Sequence, residues 1–208
     1  MADYTFTVND KVDFGTAVEM ITGEIQLLKK IEKEGRNEHT QKEVRSLISY
    51  TAGELIHEMA GKGIRLYISK AAQDLHKKMG LSVPFEDVRW STQTRKKTLA
   101  DEGRKFFHFE HMLPRSQLTE ALCNLQPVNN KSVAGELEKA SMAWITKEEN
   151  EKLNKLKNED GTSVRSNRPN LFAAYRDAGI ELTEWVYEGK RSWLTKKELA
   201  NHEKKLIR

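Results

Sequence analysis

One cysteine, Cys123, occurs among the 208 residues, and proline occurs only four times. A lone cysteine excludes an internal disulfide framework and a zinc site built from several cysteines, so we expect a reducing environment. No stretch approaches the ~20 apolar residues that a membrane span requires. The first residues also lack the basic flank and the apolar core of a signal peptide. We therefore expect a soluble, cytoplasmic protein without a membrane partner.

Neither sign of charge dominates, since 35 Lys and Arg residues stand against 31 Asp and Glu residues, a formal net charge of +4. So small an excess does not by itself argue for a polyanionic partner. Its distribution is more informative, because residues 1–81 are balanced whereas residues 89–131 hold twice as many basic as acidic side chains. This basic stretch could follow a phosphate backbone, although a solvated surface is the simpler explanation of the charge alone.

Apolar residues recur at helical spacing through the first third of the chain. Three helices are predicted there, with apolar faces over residues 18–31, 44–56 and 64–75. His57 lies in the second helix without a partner ligand at helical spacing, so we expect it at the surface or at the edge of the core. We take residues 1–88 as a helical region for packing, dimerisation or DNA contact.

The next segment changes character. Residues 105–113 are rich in aromatic side chains and predict a strand, and residues 121–128 predict a second strand that returns beside it. Residues 129–132 supply capping side chains for a helix that contains Trp144. The predicted order within residues 89–146 is therefore strand, loop, strand, helix.

Residues 147–208 predict further helices and a hairpin. The hairpin covers residues 184–193 and turns near Gly189, and a last charged helix starts at Thr195. The fold class predicted for the whole chain is α+β and mainly helical, with an N-terminal helical layer, a small strand-and-helix module and a C-terminal helix and hairpin region.

Two short motifs in the middle of the chain carry chemistry. Glu110 and His111 stand side by side and are followed by Pro114 and Arg115, and the run Asn-Leu-Gln-Pro-Val covers residues 124–128. In this order and at this separation they resemble the two motifs of the HNH (ββα-metal, His-Me finger) endonuclease family. The resemblance covers about residues 104–145.

The resemblance implies a ββα-metal finger, in which two strands and a helix hold one Mg²⁺ or Mn²⁺ ion beside a scissile phosphodiester. By position, Glu110 matches the first metal ligand and His111 matches the general base. Asn124 matches the residue that holds the loop or orients the base. Carboxylate and amide oxygens suit Mg²⁺ or Mn²⁺, and a neutral imidazole can take a proton from water near neutral pH.

One position departs from the family pattern. The family places a further metal ligand early in the helix, where the gapless continuation of this chain has Val133. Asn130 is the preferred substitute, since it stands at the predicted start of the helix, and Asn129 and Glu136 are the other candidates. His108 could form a metal pair with His111, but residues three apart on a strand face opposite sides.

Nucleic acid, most naturally double-stranded DNA, is the implied substrate, and a homodimer through the first helices is expected because two sites cut two strands. A non-catalytic nucleic-acid-binding protein and a protein that binds another protein through its helical layer are the open alternatives. The candidate nucleic-acid contacts are Arg95, Lys96, Lys97, Arg104, His108, Arg115 and Lys131.

Overall fold

The computed structural model describes residues 14–61, 64–158, 161–163, 171–185 and 191–192. Its fold is α+β and mainly helical, which confirms the predicted class. None of the helices in these ranges combines the length and the apolarity needed to cross a membrane. The helices are α1 (Phe14–Lys33), α2 (Glu38–Met59), α3 (Lys70–Lys78), α4 (Arg115–Cys123), α5 (Asn130–Leu137), α6 (Lys147–Lys155) and α7 (Leu171–Asp177). The strands are β1 (Arg65–Ser69), β2 (Phe107–His111), β3 (Ser141–Thr146), β4 (Leu182–Trp185) and β5 (Arg191–Ser192).

The five strands form one mixed sheet in the order β2-β3-β1-β4-β5. β1 and β3 are parallel, and the other neighbouring pairs are antiparallel. All three predicted regions of the chain therefore contribute strands to a single sheet. β4 and β5 pair as the predicted hairpin requires, while its turn near Gly189 and the helix predicted from Thr195 lie outside the described residues.

Each face of the sheet covers its own apolar core. The first core contains Phe109 and Trp144 from the sheet together with the buried faces of α1 and α2. The second core contains Ala143 and Ile145 from the sheet together with side chains of α6 and α7. Because side chains alternate along a strand, neighbouring residues of β3 enter different cores.

The first two predicted helices are confirmed as α1 and α2, which pack against each other. Ile21, Ile25 and Leu28 are fully buried along one side of α1, as the apolar spacing predicts. Asn37 caps the start of α2, where its side-chain oxygen accepts a hydrogen bond from the backbone N–H of Thr40 at 2.9 Å.

The third predicted helix is wrong in its first half, because residues 65–69 form β1. This strand lies between β3 and β4, and an apolar core covers each of its faces. Leu66 and Ile68 enter the first core and Tyr67 enters the second. A short apolar run buried on both faces looks the same in sequence as a turn of buried helix. The helix begins only at Lys70, where Ser69 caps α3.

The predicted returning strand at 121–128 is also wrong, and so is the helix that was expected to contain Trp144. Residues 115–123 form α4, in which Leu118 and Leu122 are buried four residues apart, as in an amphipathic helix. α5 begins at Asn130 behind the predicted cap Asn129 and ends at Leu137. The antiparallel partner of β2 is β3, whose residues are all buried. The observed order is strand, helix, helix, strand.

Candidate functional site

β2 presents different side chains on its two faces. Phe109 is paired with Trp144 of β3 and stacks on it, with ring centroids 4.4 Å apart. His111 is paired with Met142, which also belongs to the first core. Glu110 is paired with Ala143 of the second core. Glu110 and His111 therefore point to opposite faces of the sheet, and the structure does not bring them to one side.

The second imidazole of the site comes from α2. The rings of His57 and His111 have centroids 4.6 Å apart, and the ring of Phe109 lies 5.5 Å from that of His57. His57 is partly buried at the edge of the core, as expected, but its contact with His111 was not predicted. The contact joins residues 54 positions apart, and no local pattern in the sequence signals it.

Both histidines are neutral at pH 7. Burial, followed by the nearby charges of His111 and Arg115, lowers the pKa of His57 from 6.5 to about 4. Burial, followed by Arg115 and His108, lowers the pKa of His111 from 6.5 to about 4. The Nε2 atom of His111 is buried and has no hydrogen-bond partner among the described residues. His111 thus offers a neutral imidazole with one unused nitrogen.

Arg115 brings a positive charge to this pair. It is the first residue of α4, and its Nε donates a hydrogen bond to the backbone carbonyl of Ser49 in α2 at 3.1 Å. Gly53 makes room for the side chain, because a Cβ at position 53 would lie 2.6 Å from the Arg115 Nε atom. The guanidinium is thereby fixed between α2 and α4, close enough to lower the pKa of both histidines.

Glu110 belongs to a separate arrangement on the other face. Its side chain is 3% exposed, and its Oε2 atom lies 2.9 Å from the Nε2 atom of His108. The Nζ atom of Lys147 lies 3.5 Å from the Nδ1 atom of the same imidazole. The predicted metal ligand and the predicted phosphate contact are therefore partners of each other.

The predicted third ligands lie on the far side of the sheet from Glu110. α5 buries Val133 and Leu137 in the first core, which is the core that Glu110 does not face. Asn130 is exposed, and Glu136 accepts a salt bridge from Lys139 at 2.6 Å. The predicted set of Glu110 with either residue is not brought together, so it does not fit one coordination sphere. Within the described ranges, no three His, Cys, Asp or Glu side chains are grouped to hold a metal ion.

Asn124 is also distant from His111. It is the exposed residue that ends α4, at the opposite end of that helix from Arg115. Nine helical residues span about 13 Å at a rise of about 1.5 Å per residue. The structure therefore does not place the Asn124 side chain where it can orient the His111 ring.

The predicted nucleic-acid contacts fall into four places. Arg95, Lys96 and Lys97 are exposed on the turn-rich segment before β2. The Cζ atom of Arg104 lies 4.2 Å from the centroid of the Trp90 ring. The Trp90 ring meets the His108 ring edge-on, with centroids 6.0 Å apart. Of the remaining candidates, Arg115 lies beside His111, and Lys131 is exposed on α5.

Comparisons of the chain with protein-family models, with curated proteins and with solved structures each found no match. The resemblance to the HNH endonuclease family therefore rests on the two motifs alone, and an endonuclease activity is a proposal.

The lowered pKa values of His57 and His111 predict a specific loss of stability in acid. Below pH 6.5 these histidines are protonated in the unfolded chain, whereas in the folded chain they stay neutral until about pH 4. Their contribution to the free energy of unfolding is therefore fully present above pH 6.5 and is lost between pH 6.5 and 4. One such histidine costs about 2–3 kcal/mol at about pH 4.5. Urea unfolding at about pH 7.5 and 4.5 should give a smaller acid loss for His57→Gln than for the wild type.

His39 provides the matched control for this measurement, because it is exposed on α2 and pairs with Glu43 at the helix surface. His39→Gln should keep the wild-type loss between the two pH values. Equal losses in the wild type and in His57→Gln would show that His57 is protonated as easily in the folded chain as in the unfolded one.

Proposed function

We propose that the chain is an endonuclease that hydrolyses phosphodiester bonds in DNA, with His111 as its general base. One observation carries the proposal: a neutral His111 with an unused Nε2 atom lies beside the fixed guanidinium of Arg115. Hydrolysis of a phosphodiester needs a group that takes a proton from water and a cation that offsets the phosphate charge. His111 and Arg115 provide these two groups on one face of β2.

In the proposed reaction, His111 takes a proton from a water molecule as the water oxygen bonds to the phosphorus atom. The bond to the leaving oxygen breaks, and that oxygen takes a proton from solvent. A pKa of about 4 makes His111 a weak base in the free protein. An anionic phosphate beside the imidazole favours its charged form, so substrate binding raises that pKa towards the range where a general base is effective.

Mg²⁺ or Mn²⁺ remains the cofactor that the motif resemblance predicts. Such an ion would act as a Lewis acid on the phosphate and the leaving oxygen. Glu110 lies on the opposite face from His111 and from α5, so the predicted ligands do not share one site with His111. The proposed roles of His111 and Arg115 do not depend on the ion.

The direct test is cleavage of supercoiled plasmid. Wild-type protein with Mg²⁺ is expected to convert the plasmid to nicked and linear forms, and the motif resemblance predicts that EDTA stops the reaction. Gel electrophoresis over a time course measures both. A wild-type protein that leaves the plasmid intact with Mg²⁺ and with Mn²⁺ contradicts the proposed activity.

A non-catalytic nucleic-acid-binding protein is the second candidate, and the exposed basic segment before β2 favours it. Lys96 and Lys97 stand next to each other there, and both are exposed. If both contact phosphates, Lys96→Gln with Lys97→Gln should flatten the slope of log K against log salt by roughly 1.8, at about 0.9 per contact. Fluorescence anisotropy with labelled duplex DNA measures the slope.

The adjacent lysines of α3 give a matched control for the salt titration. Lys77 and Lys78 are also exposed and consecutive, and the double change to Gln removes the same charge from another element. Its salt slope should equal that of the wild type. Equal slopes for all three proteins would show that Lys96 and Lys97 are solvated surface charges that do not contact phosphates.

The homodimer through the first helices also remains a proposal. Among the described residues, Met20 and Leu27 of α1 and Leu47 and Tyr50 of α2 are large apolar side chains that are 39–47% exposed. A symmetric dimer would give two active sites for the two strands of a duplex.

A further inference from the structure

A cavity of about 170 Å³ opens beside the histidine pair. Its apolar wall includes Phe109 and Trp144, the two rings that stack on each other in the first core, together with Val88. The volume lies below the roughly 300–1,000 Å³ of pockets that take drug-sized ligands. The cavity therefore has room for no more than about one ring system.

The cavity wall also carries hydrogen-bonding groups. Glu58 and Arg89 line it and form a salt bridge of 2.9 Å, and Asp87 lines it as well. Trp144 is fully buried, and its Nε1 atom has no acceptor among the described residues. A planar ligand with both donors and acceptors at its edge matches such a wall better than a hydrocarbon does.

His57 connects the cavity to the proposed catalytic group. It lines the cavity, and its ring contacts the His111 ring at 4.6 Å between centroids. A ring bound in the cavity thus lies one side chain away from His111. This spacing matches a nucleotide whose base enters the cavity while an adjacent phosphate stays near His111 and Arg115.

We propose that this cavity binds one unpaired nucleobase of the nucleic-acid substrate. The inference rests on the proposed function in taking nucleic acid as the ligand, but it does not require cleavage. Burial of a base against the apolar wall does not depend on its sequence, whereas the charged and polar side chains of the wall can read the edge of the base. The base must leave a duplex stack to enter.

The test measures binding in EDTA, so that no strand is cut. The probes are a labelled single strand of mixed sequence and an abasic strand of the same length and charge. Wild-type protein is expected to bind the base-bearing strand roughly tenfold more tightly, because one base leaves water for the cavity. Equal affinity for the two strands overturns the proposal, and this comparison needs no variant.

Ala60→Leu fills the cavity and tests whether the preference for the base-bearing strand depends on it. Ala60 lines the cavity, is 9% exposed and has backbone angles that any residue adopts. The variant should bind the base-bearing strand only as tightly as the abasic one. The control Ala134→Leu adds the same bulk on α5, away from the cavity, and should keep the wild-type preference. A thermal melt confirms that both variants fold.

The outcomes separate this proposal from the proposed function. A base preference that Ala60→Leu removes, in a protein that does not cut plasmid, supports the cavity and contradicts the nuclease. Plasmid cleavage by a protein whose base preference survives Ala60→Leu contradicts the cavity and leaves the nuclease in place.

Discussion

His111→Ala is expected to lower the rate of plasmid cleavage by about a hundred to ten thousandfold, the usual contribution of a general base. The neutral ring and its unused Nε2 atom are lost, while the guanidinium of Arg115 stays held by Ser49. DNA binding should therefore change little, because only the chemical step loses a group. The measurements are single-turnover cleavage rates and anisotropy titrations of the same preparations.

The controls decide whether the effect is chemical. His39→Ala removes an exposed histidine from α2 and should cleave at the wild-type rate. The fold should survive His111→Ala, because this residue lies at the end of β2 and is only partly buried. Near-wild-type cleavage by the His111 variant would remove the imidazole from the mechanism, whereas a lost thermal transition would attribute the defect to folding.

The elements with strong local signals were predictable from the sequence. The apolar stripe of α1 reaches from Val18 to Ile31, long enough to separate helix from strand by its period alone. β2 stops before Pro114, and α5 starts behind the cap Asn129. Each of these features is decided by residues within one element or at its ends.

The elements that were predicted wrongly depend on contacts between residues that are far apart in the sequence. β1 is a strand because β3 and β4 cover its two sides, and neither neighbour can be read from residues 65–69. β3 pairs with β2 although α4 and α5 intervene, so the nearer apolar run at 121–128 was mistaken for the partner. A strand buried on both faces loses the alternation that would identify it.

The candidate site shows the same division. The motif singled out His111, whose role as a general base stays a prediction. The partners of His111 are not local: His57 arrives from α2, and Arg115 is held there by Ser49 and Gly53. Which face Glu110 occupies depends on the pairing of β2 with β3. The sequence therefore pointed to Glu110 and His111, but it did not show which side chains lie on the same face of the sheet.

A buried carboxylate that the motif analysis did not single out holds the basic segment on the sheet. Asp101 is fully buried, and its Oδ1 atom accepts backbone N–H groups of Lys105 at 2.7 Å and Phe106 at 3.0 Å. Its Oδ2 atom accepts the N–H of Phe107 at 2.9 Å and the side-chain amide of Gln93 at 2.6 Å. Four donors thus converge on one carboxylate at the start of β2.

The backbone around Asp101 explains why these bonds matter. Ala100 and Arg104 have φ angles of 49° and 52°, in the left-handed region that non-glycine residues rarely occupy. Such conformations persist where surrounding contacts offset their cost. The Asp101 hydrogen bonds are the contacts that do so here.

Asp101→Asn keeps the shape of the side chain but replaces one acceptor oxygen by an NH₂ group that meets N–H donors. The free energy of unfolding should fall by about 3–4 kcal/mol, because hydrogen bonds to a charged acceptor contribute roughly 1.5–3 kcal/mol each and a buried donor is left unpaired. Urea unfolding measures this loss. Asp74→Asn on the exposed side of α3 is the control and should stay within about 0.5 kcal/mol of the wild type.

DNA binding by the same variant distinguishes positioning from charge. Asp101→Asn makes the chain one unit more positive, so a purely electrostatic effect would strengthen binding to a polyanion. If Asp101 instead holds Arg95, Lys96 and Lys97 in a fixed place, the variant should bind duplex DNA more weakly despite its added charge. Anisotropy titrations at a temperature where the variant is folded show whether its DNA affinity rises or falls. Tighter binding, or an unfolding free energy within about 1 kcal/mol of the wild type, would show that the basic segment keeps its place without Asp101.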